Sequence, residues 1–355
     1  MKYILSFTTV AAAIIIMLEP VIIADAVRSS VNTCLEVMIP SLFAFTVLAV
    51  YLQASGLYRT MLKPATYLLS KLLRLDEELC AVFILSNIGG FPVGAKLLSN
   101  LVDNGRLSRN DAGRMLCFCY GSGPSFIISI VGQRVFGSNT VGLLIFAACF
   151  LSSLILGILI CRCGKRIRLS PCDEKLNLSS GCFVSSVMSA AKVMLTVCTM
   201  IVCFSTITAM IEITGVMNTA EMLFSHIGAG DNAAYILPTI TEISHIQQFI
   251  PSNSLVAALC GGLLSFGGIC VILQISAISQ GHIPLRNFLI MRLPASLISG
   301  ILSAAVSQWC VISEQDACIA TSAQIQTGAF SVNAGMSLCV LAMCGILLTT
   351  APAKK

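Results

Sequence analysis

Apolar residues run along this chain in blocks of membrane-spanning length, separated by short polar stretches. The blocks fall at about 3–23, 34–53, 108–135, 139–161, 183–213, 254–280, 287–309 and 333–350. About 20 apolar helical residues cross a hydrocarbon core of about 30 Å, so each block predicts a transmembrane helix. Two of them, 108–135 and 254–280, are broken by glycines. Two further stretches, 79–104 and 232–250, are too interrupted to be ordinary spans and read as re-entrant hairpins. The expected fold is an all-α polytopic membrane protein with about eight transmembrane helices plus two re-entrant helical hairpins.

Composition supports that class. The chain is 56% hydrophobic and 10% charged, with a mean hydropathy of +0.91, whereas soluble domains carry about 25% charged residues. The first block is longer than a signal-peptide core, and Glu19-Pro20 interrupts it where a cleavage site would be sought, so it is expected to stay as a helix. Most of the 17 cysteines lie in apolar blocks, where Cys acts as a small apolar residue. A Cys310–Cys318 disulfide is an option for an extracytoplasmic loop, and no metal-ligand spacing occurs.

Charge distribution gives orientation. On an eight-span topology 18 of the 21 Lys and Arg residues fall on one side, including Lys63, Lys71, Arg74, Arg162, Arg166, Arg286 and Arg292. Only Arg28, Arg134 and the intramembrane Lys192 do not. By the positive-inside rule that side is cytoplasmic and holds both termini. These charges read as topology determinants, not as a nucleic-acid site.

The chain also repeats itself. "FTVLAVYLQASGLY" (45–58) matches "FSTITAMIEITGVM" (204–217), and "GSGPSFIISIVG" (121–132) resembles "LSFGGICVILQIS" (264–276). Each half orders a long helix, a hairpin, a broken helix and a plain helix. Three crossings per half turn the second upside down, giving two inverted repeats with broken helices. Lys96 and Arg106 flank the first hairpin, which then enters from inside; Asp231 flanks the second, which enters from outside. The organisation is a first helix and loop (1–33), a first repeat (34–161), a basic linker (162–182), a second repeat (183–309), and a loop with a last helix (310–355).

Inverted repeats with broken helices mark secondary transporters, whose site lies near the midplane. Irregular backbone at that depth survives only when buried or lining a wet cavity, so its freed amide groups become ligands. Four stretches qualify for substrate binding. The first has Ser86, Asn87, Gly89, Gly90, Pro92 and Lys96, and the second Ser122, Gly123, Pro124 and Ser125. The third has Thr241, Glu242 and His245, and the fourth Ser265, Gly267, Gly268 and Gln274. Glu242 reads either as a substrate, ion or proton contact or as a wet residue near the outer surface. His245 is a pH-sensitive partner for it or a hydrogen-bonded core residue. Lys96 either faces an anion or anchors the loop. Glu242-x-x-His245 lacks the leading His of zinc proteases, no phosphate-binding loop is present, and no enzyme activity or cofactor is expected.

"MIPSLFAFTVLAVYLQASGL", "GGFPVGAKLL", "GRLSRNDAGRMLCFCYGSGPSFIISIVG" and "LLSFGGICVILQ" together resemble the sporulation integral membrane protein family YlbJ (SpoVV), over about residues 30–310. The matching positions include Pro40, Ser41, Phe43, Gly90, Pro92, Gly94, Lys96, Ser122, Gly123, Pro124, Ser265, Gly267, Gly268 and Gln274. Phe91 and Tyr120-Gly121 depart from the pattern. The family belongs to a gate or nucleoside-recognition group similar to concentrative nucleoside transporters. The resemblance implies a transporter of a small organic anion, dipicolinic acid, across the mother-cell-derived outer forespore membrane. A non-transporting sporulation scaffold and a nucleoside-type transporter are the alternatives. The coupling ion (proton or sodium) and homo-oligomerisation stay open.

Overall fold

A computed structural model describes residues 2–170, 176–226, 229–251 and 254–317. Among these residues every regular element is a helix. Five helices are long and apolar enough to cross a membrane: Pro20–Ser55, Asn139–Cys163, Ser180–Ile213, Ser254–Ile278 and Arg286–Gln308. The first expected span is divided, because Lys2–Leu18 stops at Glu19 and Pro20 starts a new helix, as suits a residue with no amide proton at the first helical turn. The span expected at 333–350 and Cys318 lie outside the described residues. The cysteines among the described residues for which a state is assigned are free.

Local chemistry fixes the helix ends. Ser108, Ser138 and Ser179 each accept a hydrogen bond from a backbone amide of the first turn that follows, satisfying donors a helix leaves orphaned. Gly56, at φ 77°, ends Ile39–Ser55 in a left-handed cap.

Each interrupted region becomes a break with a specific cause. The first hairpin is Glu77–Gly89 and Phe91–Asp103, joined at Gly90, whose φ of 90° favours glycine. The first broken helix runs Arg109–Leu116, unwinds, and resumes at Pro124–Phe126 into a π-helical stretch, Ile127–Val135. The second broken helix is Ser254–Phe266 and Gly268–Ile278; Gly267 and Gly268 sit at φ 84° and 76°, two successive left-handed residues that force the break. The second hairpin differs from its expected form. Ala233–Thr241 is helical, but the return limb is a short 3-10 helix, Ile243–Gln248, turned by the extended backbone of Glu242.

Elements of the N-terminal and C-terminal halves pack on one another. Ile39–Ser55 lies against Ser180–Ile213, and Asn139–Cys163 against Arg286–Ala317. The second limb of the first hairpin packs on Gly268–Ile278, and the 3-10 limb of the second packs on Ile127–Val135. Small residues permit the closest approaches. A Cβ on Gly142 would come within 2.9 Å of the Gly132 Cα, and one on Gly261 within 2.0 Å of the Ser303 hydroxyl oxygen.

One charge lies elsewhere than expected. Arg292, counted with the cytoplasmic loops on charge pattern, is 2% exposed inside the Arg286–Ala317 helix. Its guanidinium donates to the carbonyls of Ser265, at 3.1 Å, and Cys117, and it stacks on the rings of Tyr120 and Phe288. Two helix C-terminal ends present those carbonyls, so the cation sits where two partial negative poles meet.

Candidate functional site

The hairpin tips and the breaks converge on a small cavity of about 20 Å³, room for about one water. Its wall is drawn almost evenly from the two halves. Met38 and Leu42 come from the first long helix, Val197 and Ile201 from the second. Phe91 and Pro92 come from the first hairpin tip, Glu242 and Ile243 from the second. Ser122, Gly123 and Phe126 come from the first broken helix, Val271 and Gln274 from the second. Most of the wall is apolar, with three polar side chains facing one space, the usual composition of a small-molecule site.

Those three groups differ in how they are satisfied. The Glu242 carboxylate is fully buried and accepts from both the backbone amide, at 3.0 Å, and the hydroxyl of Ser244. Gln274 donates to the Cys270 sulfur at 3.2 Å. The Ser122 hydroxyl is buried and has no hydrogen-bond partner. A buried polar group left unmatched costs free energy, which a ligand's complementary atom would recover. The His245 Nε2 is likewise buried without a partner. Among the described residues Glu242 is the sole ionisable one in the wall.

The remaining candidates build the surroundings of that wall. Gly90 meets the Gly123 backbone, so a Cβ there would lie 3.4 Å from the Gly123 nitrogen. Gly89 sits under Val93. Ser86 and Asn87 donate to the Phe83 carbonyl of their own helix, both at 2.8 Å. Gly267 lies against the Tyr120 hydroxyl, which donates to the Phe266 carbonyl at 3.1 Å. Gly268 faces the backbone of Thr239 and Ile240. Thr241 shares a 2.8 Å hydrogen bond with Thr208 on the second long helix, and Ser265 supplies a carbonyl to Arg292. Pro124 and Ser125 line a separate, open cleft with Glu36 and Arg134. Lys96 is half-buried on the first hairpin and does not line the cavity.

The apolar wall residues escaped the sequence reading of the site, and so did two residues just outside that wall, Arg292 and Tyr120. Arg292 stands within an apolar run, and intramembrane arginines ordinarily face the protein interior, a signal the loop assignment overrode. Tyr120 carries the contact between the two breaks, and its place beside Gly121 was the only hint.

No established family profile matches the chain. Its fold is similar to that of CNTnw, a concentrative nucleoside transporter, in an outward-facing double variant: TM-score 0.50 at 13% identity, over 87% of this chain and 88% of that one. A second variant of the same protein gives a TM-score of 0.48 at 15% identity, over 88% of each chain. The class is thus an integral membrane protein with a transporter-like fold.

In sequence the chain is 28% identical over 145 residues to the sporulation integral membrane protein YlbJ of Bacillus subtilis (strain 168). That stretch is 40% of this chain and 35% of the relative, so the match spans about a third of the relative's length.

Proposed function

We propose that this protein is a secondary transporter that carries a small solute through the central cavity by alternating access between two inverted halves. The observation that carries this reading is the paired wall. Each class of element, long helix, hairpin tip and broken helix, contributes to the cavity from both halves, as expected where a substrate site lies on a repeat interface. A volume of about 20 Å³ suits an occluded state, so a drug-sized solute enters only when a hairpin tip withdraws.

The solute is a small organic acid, with dipicolinic acid, implied by the sporulation resemblance, as first candidate. The membrane is the outer forespore membrane, with both termini on the cytoplasmic side. Because the wall holds a carboxyl group and no Lys or Arg, the anion travels with a cation, a proton or sodium ion, taken up at Glu242. A second reading, a neutral nucleoside-type solute, is favoured by that same lack of a basic residue. The protein acts without a catalytic step.

Purified protein in liposomes, given labelled dipicolinate or labelled nucleosides under proton and sodium gradients, tests these readings. Gradient-dependent dipicolinate uptake, lost in Ser122→Ala and Gln274→Ala variants that remain folded, supports the first. Nucleoside uptake alone supports the second. Folded protein that moves neither class overturns transport and leaves a scaffold role.

A further inference from the structure

Away from the central cavity, a cleft of about 520 Å³ opens at the end of the transmembrane helix Asn139–Cys163. Among the described residues its wall carries Lys71, Arg74, Arg162 and Arg166 with the Ser70 hydroxyl, and no carboxylate. Among the described residues none of these four cations has a carboxylate partner, and the Lys71 ammonium instead lies 4.1 Å over the Tyr67 ring. The nearby basic residues behave otherwise. Arg106 binds Glu78 through both terminal nitrogens at 2.6 and 2.8 Å, and Arg114 bonds both Asp111 and the Ile160 carbonyl.

Arg74 adds a backbone argument. It ends the helix Lys63–Leu73 at φ 55° and ψ 37°, a left-handed cap. Glycine ordinarily takes that position, as Gly56 does at the end of Ile39–Ser55. A strained arginine where a glycine would relax the turn points to a use for its guanidinium. The helix it caps also keeps Tyr67 and Leu68 exposed, at 55% and 70%, as a helix resting in a membrane interface does.

We propose that this cleft is a binding site for a phosphate-ester anion, with the headgroup of an anionic phospholipid as its source. Basic pockets beside transmembrane helices hold such headgroups, arginine forks match phosphate oxygens bidentately, and the exposed Tyr67 and Leu68 place the cleft where acyl chains lie. The site is independent of the transport reading.

Thermal stability of the detergent-purified full chain tests it, titrated separately with phosphatidylglycerol, phosphatidylcholine and inorganic phosphate. Wild-type protein is expected to be stabilised by phosphatidylglycerol selectively. Binding should weaken about fivefold for each arginine removed in the series Arg74→Gln, Arg162→Gln and Arg166→Gln, with Lys165 and Arg168 left to keep the flank positive. The variants should match wild type in phosphatidylcholine, which shows that they fold. Equal stabilisation by inorganic phosphate and phosphatidylglycerol would reassign the source to a soluble phosphate. Undiminished phosphatidylglycerol binding by the triple variant, or none by wild type, would overturn the site.

Discussion

The two hairpins do the same architectural job with different degrees of fixation. The first is clamped along its length. The Gln53 side chain donates to the Leu97 carbonyl and accepts from Asn100, both at 3.0 Å. Glu78 and Arg106 close its base, and His282 contacts Asp103 at 2.7 Å. Among the described residues the second is held at fewer points: Thr241 to Thr208, Asn232 to the Ile250 backbone and Gln247 to Arg134. Its helical limb contains Pro238, and its return limb is one short 3-10 helix. Loosely tied regions open at lower free energy, so on the transport reading proposed above the second hairpin is the one expected to withdraw from the cavity. The residue that brings a charge to the cavity, Glu242, lies on that looser side.

The largest expected effect breaks the first hairpin outright. A Cβ on Gly94 would lie 2.0 Å from the Cys119 carbonyl oxygen, which belongs to backbone and cannot swing aside. Gly94→Leu should therefore cost more than about 4 kcal/mol and leave no monodisperse protein on size exclusion. Gly105, at φ 68°, is the control, because a Cβ there would meet nothing within 4 Å. Gly105→Ala should cost only about 1–2 kcal/mol of backbone strain.

Arg292 comes next, because it holds the two breaks to each other. Arg292→Met fills similar volume but strands the Cys117 and Ser265 carbonyls, and should lower stability by about 3 kcal/mol, read by thermal unfolding in detergent. Arg292→Lys, with charge but no fork, should fall between that variant and wild type.

The hairpin bases then sharpen the contrast directly. Arg106→Ala leaves Glu78, whose side chain is 13% exposed, without its bidentate partner and should cost about 2–3 kcal/mol. Asn232→Ala removes two bonds to Ile250, but that residue is 47% exposed, so water replaces them at a cost of about 1 kcal/mol. Equal losses from the two variants would refute the idea that one hairpin is the more firmly held.

The features legible in the sequence were those written in local chemistry. Glycine pairs and prolines inside apolar runs located both breaks and the first hairpin, because left-handed backbone and a missing amide are properties of single residues. Of the five cavity residues foreseen, Pro92, Ser122, Gly123 and Glu242 stand at or beside such interruptions, and Gln274 follows the Gly267-Gly268 break by under two helical turns. The apolar wall was hidden. Met38, Leu42, Val197 and Ile201 are indistinguishable by type from lipid-facing neighbours, since a membrane helix is apolar all round and its period does not mark the inner face. Arg292 was hidden for another reason. A basic residue six positions into a span looks like a flanking charge until the carbonyls it serves, 27 and 175 residues away, are brought beside it.

The smallest structural perturbation asks the sharpest functional question. Glu242→Gln keeps an oxygen to accept from the Ser244 amide and an adjacent group for its hydroxyl, so stability should change by less than about 1 kcal/mol. It nevertheless removes the single ionisable group that the described residues bring to the cavity wall. If a cation accompanies the solute by binding there, uptake by the variant should no longer respond to a proton or sodium gradient, while exchange of solute across preloaded liposomes continues. Exchange without gradient-driven accumulation would assign the coupling step to the loosely held hairpin. Accumulation at the wild-type level would move it elsewhere, and the difference between the two hairpins would then concern gating alone.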